Sequence, residues 1–267
     1  LSNVLERILA HKRAEVEQRR RQCPVARLQT RAEYLLPCRN FYGAVTVPRR
    51  GGPNLIAEIK RASPSAGLIK PDFDPVAIAR QYAAGGAQAL SVLTDEKYFG
   101  GDMAFIAAVK EAVGAPVLRK DFIIDPYQVH ESRAYGADAI LLIAESLDES
   151  TLAELLTLAR SLGLWILLEV HDRPHLLAVL NSFTKQLRDG VLLGINNRDL
   201  KAQKTDLATT EGLAPLVPPG IPIVAESGIE NRRDAERMHA AGARALLVGE
   251  ALLRAADPAQ AVRDMLG

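Results

Sequence analysis

Cysteine is almost missing from this chain. Cys23 and Cys38 are the only two in 267 residues. They exclude a disulfide framework and show no metal spacing, so a reducing, cytoplasmic setting is expected. Long apolar runs are lacking too. Ala139–Ala144 and Leu164–Leu168 are strand-sized, well short of the ~18 residues that a membrane span takes. No Gly-rich dinucleotide turn follows the first apolar strand, which weighs against a doubly wound open sheet. No low-complexity linker divides the chain, so one domain is expected. With 48% hydrophobic and 24% charged residues, global disorder is excluded.

The net charge of +1 hides an uneven distribution. Residues 1–50 carry eleven Lys or Arg against four Glu, leaving 22 basic and 28 acidic residues for the remainder. An Arg-rich head can mean nucleic acid, a transit peptide or a solvated helix face. Ser2 is its only serine, and Glu6, Glu15 and Glu17 interrupt the arginines. That pattern favours the solvated helix, with Leu5, Ile8 and Leu9 on its apolar side. The head is expected to pack near the substrate site and help cover it.

Internal repetition carries the fold. Gly86-Ala-Gln-Ala-Leu-Ser-Val-Leu93, Gly136-Ala-Asp-Ala-Ile-Leu-Leu-Ile143 and Gly242-Ala-Arg-Ala-Leu-Leu-Val-Gly249 align without gaps, at spacings of 50 and 106. Each reads as a glycine ending a helix and leading into a buried strand. A unit of about 25 residues divides both spacings, and eight units need roughly 208 residues. The expected architecture is therefore a (β/α)₈ barrel with residues 1–50 as an N-terminal helical extension.

Strands are expected at Leu55–Lys60, Ala89–Leu93, Pro116–Lys120, Ala139–Ile143, Trp165–Glu169, Val191–Ile195, Ile221–Ala225 and Ala245–Val248. Their continuous apolar character suits a parallel sheet covered on both faces. Helices are expected at Pro75–Ala84, Met103–Val113, Tyr127–Tyr135, Glu149–Leu162, Pro174–Leu180, Arg232–Ala241 and Ala251–Met265, and more weakly at Thr205–Leu213.

Against this frame, several polar residues fall where a core should be. Alternate strand residues point into a barrel, and its strand C-termini build the active site. Glu58 and Lys60 share one face of strand 1. Lys120 closes strand 3 in phase with Leu118, and Glu169 closes strand 5 in phase with Leu167 and Trp165. Asn196 and Arg198 follow strand 6. Buried charges are costly unless paired or used. Ion pairing of Glu58 with Lys60 and Lys120 with Glu169 is the structural alternative, and a Schiff-base role for Lys120 is a chemical one.

The turns after strands 7 and 8, Glu226-Ser227-Gly228-Ile229 and Gly249-Glu250, bring small residues to the loops where this fold often binds phosphate. His171 and His175 have helical metal-ligand spacing, but Pro174 lies between them and no third ligand is evident, so no metal is expected. His130 and His239 read as surface residues and Trp165 as barrel core.

These residues also carry a resemblance. Ile56-Ala-Glu-Ile-Lys-Arg-Ala-Ser-Pro-Ser65, Ser91-Val-Leu-Thr-Asp-Glu-Lys-Tyr-Phe-Gly100, Leu118-Arg-Lys-Asp-Phe-Ile-Ile-Asp-Pro-Tyr127 and Gly194-Ile-Asn-Asn-Arg-Asp-Leu200 resemble the indole-3-glycerol phosphate synthase family. So do Leu168-Glu-Val, Ala225-Glu-Ser-Gly-Ile229 and Val248-Gly-Glu-Ala-Leu252, in order along essentially the whole chain. The resemblance implies a step of tryptophan biosynthesis that needs no cofactor or metal. In it, 1-(2-carboxyphenylamino)-1-deoxyribulose 5-phosphate closes to indole-3-glycerol phosphate with loss of carbon dioxide and water.

By resemblance, Lys120 is the general acid and Glu169 the carboxylate that handles proton removal or dehydration; Lys60 nearby should lower the Lys120 pKa, and burial should raise that of Glu169. Lys60 holds the substrate carboxylate, with a share of the acid role left open, while Glu58 and Asn196 orient these groups. Ser63, Arg198, Ser227, Gly228, Gly249 and Glu250 fall where the family holds phosphate or braces the site. Phe99, Phe122 and Leu141 are candidates for the anthranilate pocket. One departure is Ala62, where some relatives carry a second lysine. The implied partners are a phosphorylated small molecule and, by docking, other tryptophan-pathway enzymes, with a monomer expected and neither nucleic acid nor membrane. Another phosphosugar enzyme of the same fold and a non-catalytic metabolite sensor are the rival functions, and the paired acid and base groups weigh against the sensor.

Overall fold

A computed structural model describes residues 4–49, 51–199 and 204–267. Leu1 and Arg50, the bounds of the N-terminal segment, and Leu200 of the strand 6 motif lie outside the described residues.

Eight parallel strands close a barrel. They are β1 (Asn54–Ile59), β2 (Ala89–Leu93), β3 (Val117–Lys120), β4 (Ala139–Ile143), β5 (Trp165–Val170), β6 (Val191–Asn196), β7 (Ile223–Glu226) and β8 (Ala243–Val248). Each pairs with its sequence neighbours, and β8 returns to β1 with Asn54 opposite Ala245. The three repeat glycines, Gly86, Gly136 and Gly242, have φ of 96°, 87° and 106°. A left-handed backbone at that point costs glycine no Cβ clash, which is why the repeat begins with it.

Three helices precede the barrel, α1 (Val4–Gln22), α2 (Val25–Glu33) and α3 (Phe41–Thr46). Among the described residues, the α-helices of five or more residues after the strands are α4 (Pro75–Gly85), α5 (Ala104–Ala112), α6 (Pro126–Ala134), α7 (Glu149–Ser161), α8 (Arg173–Arg188), α9 (Ala208–Leu213), α10 (Arg232–Ala240), α11 (Glu250–Arg254) and α12 (Pro258–Leu266). Two expectations are corrected here. The fifth barrel helix does not stop at Leu180. Phe183 and Leu187 continue its buried stripe, so the polar residues from Asn181 to Asp189 mark a solvated helical face. The last helix is two, because Asp257 caps a new start with Pro258 in its first turn, where the missing N–H costs nothing.

The N-terminal segment divides its work between the two ends of the barrel. Phe41 and Val45 of α3 are fully buried and join the interior cluster with Ile56, Leu118 and Leu192. The Asn54 side chain donates to the Val45 and Val47 carbonyls at 2.8 and 3.0 Å, and Tyr42 stacks on Trp165 with ring centroids 5.6 Å apart. Since Asn54 and Trp165 begin their strands, α3 plugs the end opposite the strand C-termini. Trp165 is half-buried there, a bottom residue rather than central core. Helix α2 packs on α6.

Helix α1 reaches the C-terminal side. Its stripe Ile8, Leu9, Lys12 and Val16 is buried, and the Lys12 ammonium lies 2.9 Å from both Asp95 and Asp121, in the loops after β2 and β3. Helix α1 thus packs beside the barrel mouth, as expected, and braces its loops; the described part of the segment contributes no residue to the cavity lining there.

Candidate active site

Period-two alternation places the site. In phase with the inward residues Ile56, Leu118, Leu167, Leu192, Val224 and Leu247 come Glu58, Lys120, Glu169, Asn196, Glu226 and Gly249, all toward the strand C-termini. There they line a cavity of about 660 Å³ together with Lys60, Phe99, Phe122, Leu141, Arg198, Ser227, Gly228 and Glu250. Of the residues assigned to the site from the sequence, only Ser63 stands outside this lining. It is buried in a short hairpin, its Oγ 3.4 Å from Ser65 Oγ, and Ser65 Oγ accepts from Arg198 Nη1 at 2.9 Å.

Backbone position does much of the aiming at Lys120. Its neighbours Arg119 and Asp121 face outward and are fully or almost fully buried. Arg119 donates to Asp121 at 2.9 Å, to the Gln128 carbonyl at 2.9 Å and to Ser132 at 3.0 Å, and contacts Glu131 at 2.9 Å. Fixed on both sides, Lys120 projects inward. Its Nζ donates to Glu169 Oε2 at 3.1 Å and lies 3.7 Å from Glu226. Lys60 Nζ donates to Glu58 Oε1 at 2.8 Å. Both of the ion pairings foreseen as a structural alternative are therefore formed, inside the cavity rather than in place of one.

The charge states follow from these contacts, and they correct two expectations. Burial alone would lower the Lys120 pKa, but the carboxylates of Glu169, Glu226 and Glu58 outweigh it and raise the pKa. Burial alone would raise that of Glu169, but Lys120 and His171 hold it well below the ordinary carboxylate value. Lys60 was expected to depress Lys120 and burial to raise Glu169; the ion pair wins both contests. Glu58 is likewise lowered, with Lys60 and then Lys120 overcoming its burial.

Glu226 goes the other way. Burial and the Glu169 charge raise its pKa well above the usual range despite Lys120. Among the described residues, neither Glu226 oxygen has a hydrogen-bond partner. Gly194 makes room for this group, since a Cβ there would collide with Glu226 Oε1. Glu226 was read only as the start of a turn, because strand 7 was ended at Ala225. One more residue of alternation from Val224 identifies it.

Asn196 joins the two halves of the cavity. Its Nδ2 donates to Glu169 Oε1 at 3.1 Å and its Oδ1 accepts from the Arg198 backbone N–H at 3.0 Å. In the other half, Ser227 has φ of 67°, the only positive value of a non-glycine among the described residues, followed by Gly228 at 76°. Strain of this kind clusters at functional sites. Arg198 supplies the cation there. At Gly249, an added Cβ would meet Glu58 Oε1 at 2.7 Å and Lys60 Nζ at 3.2 Å, so the glycine is required by the Glu58–Lys60 pair. Phe99 and Phe122, with centroids 6.2 Å apart, and Leu141 form an apolar wall.

His171, set aside in the sequence, also touches the site. Its Nε2 lies 3.1 Å from Glu169 Oε1. A third group for His175 exists too, since Glu145, Asp172 and His175 bring one ligand atom each within 4.8 Å of one another. Asp172 there serves as the α8 N-cap, accepting from the His175 N–H at 3.0 Å. His130 is half-buried and His239 exposed, while Cys23 and Cys38 are free and half-buried. No described helix is long and apolar enough to cross a membrane.

Comparison with known proteins agrees with this geometry. The family described as indole-3-glycerol phosphate synthase matches residues 5–265. Proteins of that name from Geobacillus kaustophilus, Acidithiobacillus ferrooxidans and Rhodospirillum rubrum are similar to the chain. The first is 50% identical, covering 99% of this chain and 97% of the relative. The second is 48% identical over 99% of each, and the third 48% identical over the whole of both. Among solved structures, 3-hexulose-6-phosphate synthase from Salmonella typhimurium superposes with a TM-score of 0.63 at 16% identity, covering 79% of this chain and 96% of that one. That likeness shows the barrel fold.

Proposed function

The chain belongs to the indole-3-glycerol phosphate synthase family, and from that membership we infer that it closes the indole ring of tryptophan. Its substrate is 1-(2-carboxyphenylamino)-1-deoxyribulose 5-phosphate, and its products are indole-3-glycerol phosphate, carbon dioxide and water. The observation that carries the assignment of roles is the Lys120–Glu169 contact of 3.1 Å in a cavity with an apolar wall on one side and Arg198, Ser227 and Gly228 on the other.

Ring closure requires a proton at the ketone oxygen as the aromatic carbon that bears the carboxylate adds to the ketone carbon. Lys120, fully charged beside Glu169, is the donor. Loss of carbon dioxide returns the electron pair to the ring. The new hydroxyl then takes a proton from Glu226 and leaves as water while a proton departs from the adjacent carbon, and Glu169, ionised by its cationic neighbours, receives it. Lysine and glutamate thus act as acid and base at separate stages. Glu226, 3.7 Å from Lys120 and with its pKa raised well above the usual range, is the second donor within the same cluster. Lys60 holds the substrate carboxylate, with Glu58 fixing its position.

Phosphate occupies the half lined by Arg198, Ser227, Gly228, Gly249 and Glu250, with Ser63 bracing Arg198 through Ser65. The anthranilate ring lies against Phe99, Phe122 and Leu141. This reading has the barrel and residues 1–50 acting as one cytoplasmic, monomeric unit that turns over a phosphorylated small molecule, with docking to other tryptophan-pathway enzymes as its macromolecular contact. Product formation followed by indole fluorescence, wild type beside Lys120→Ala, tests the assignment: loss of the signal in the variant supports it, and retention removes it.

A further inference from the structure

His171 follows the end of β5 and stands two residues beyond Glu169. Its ring is 6% exposed and lies between two carboxylates, Nδ1 at 3.1 Å from Glu145 Oε2 and Nε2 at 3.1 Å from Glu169 Oε1. Glu145, in the turn after β4, also accepts from the His171 backbone N–H at 2.7 Å, so it holds this residue at two points. Neither ring N–H is aimed for an aligned hydrogen bond, and the contacts are those of an ion pair.

A neutral imidazole would turn one nitrogen lone pair toward a carboxylate at that distance, whereas an imidazolium suits both neighbours. Glu169 in turn has every oxygen engaged, Oε1 by His171 and Asn196 and Oε2 by Lys120. Glu145 is no part of the cavity lining.

We propose that His171 is a positioning residue, a cation held by Glu145 that fixes the Oε1 side of Glu169, turns Oε2 toward Lys120 and keeps the carboxylate ionised. The proposal rests on the role given to Glu169 above. The charged and titratable groups around the ring are Glu145 from the β4 turn, Glu169 from β5, and Asp172 and His175 from the start of α8. Through Glu169 come Lys120 and Glu226. Although burial opposes it, contact with Glu145 and Glu169 raises the His171 pKa to about 10.

The test follows kcat/KM and kcat across pH for wild type, His171→Asn and Glu145→Gln, with melting temperatures and the histidine ring NMR signals. For His171→Asn, kcat falls roughly ten- to hundred-fold, as when an outer partner orienting a functional ligand is lost. KM stays within about twofold of wild type, and the acid limb of kcat/KM moves up by about one pH unit as Glu169 loses a neighbouring cation. In Glu145→Gln, which leaves every cavity residue in place, the His171 ring titrates nearer neutrality. Loss of fold alone would scale activity at every pH and leave the acid limb where it was. An unmoved limb with wild-type kcat overturns the proposal, as does a wild-type His171 ring that titrates near pH 6.5. The ring titration needs no turnover, so a wild-type protein that forms no product would count against the proposed function and not against the imidazolium.

Discussion

Lys12 of the first helix lies 2.9 Å from Asp121, the residue next to Lys120. The ammonium is fully buried, and Asp95 shares it at 2.9 Å. Burial would lower the Lys12 pKa, but Asp121, Asp95 and Glu15 raise it. Burial would raise that of Asp121, but Arg119 and Lys12 depress it. Through Asp121 the first helix bears on the strand end that aims Lys120.

Lys12→Met is therefore expected to cost about 3–5 kcal/mol, the usual consequence of leaving buried partners unpaired, in a denaturant titration at neutral pH. The pH dependence has a definite sign. The folded-state pKa of Asp121 is depressed, so its contribution is present above the unfolded value of about 3.9 and is lost as pH falls through the depressed folded value. Lys12 is raised, so its contribution is complete below the unfolded value of about 10.4 and is lost as pH rises through the folded one. The variant should lose the part of the acid-induced destabilisation that wild type owes to this pair. An identical acid profile in both proteins would show that the network does not hold the loops.

Gly194→Ala tests the space reserved for Glu226. The added methyl meets a carboxyl oxygen within the barrel, so overpacking should cost about 1–3 kcal/mol. Activity should fall further than the loss of folded protein explains, because the displaced carboxyl contacts the Lys120–Glu169 cluster. A variant with wild-type melting temperature and turnover would show that Glu226 moves aside freely.

Gly249→Val tests the phosphate half. The side chain enters against Glu58 and Lys60 and narrows the approach to the backbone. KM should rise, and inorganic phosphate should inhibit the variant less than wild type. Equal inhibition of both proteins would place the phosphate elsewhere.

The barrel was legible because its repeat is written in helix-ending glycines and buried strand runs, and those signals survive without tertiary information. The inward phase of Glu58, Lys120 and Glu169 was legible for the same reason, since alternation is local. Charge state was not. Whether burial or a partner dominates at Glu169 depends on Lys120 and His171, which arrive from β3 and from the chain beyond β5, and no periodicity encodes that distance. The place of residues 1–50 was legible only in part. An amphipathic pattern marks the buried stripe of α1, but says nothing of α3, whose Phe41 and Val45 fill the bottom of the barrel. Proline and aspartate did mark the break at Pro258, and the apolar periodicity through Ala251–Met265 obscured it.

The most direct test compares Lys120→Ala and Lys60→Ala with wild type in the rate of indole-3-glycerol phosphate formation at saturating substrate. With Lys120 as the proton donor paired to Glu169, Lys120→Ala loses about 10²–10⁴ in kcat. Glu169→Gln falls in the same range, and the double variant is little worse than either single one. Lys60→Ala acts mainly through KM. Most of wild-type kcat surviving in Lys120→Ala while Lys60→Ala abolishes it would contradict the assignment and pass the acid role to Lys60.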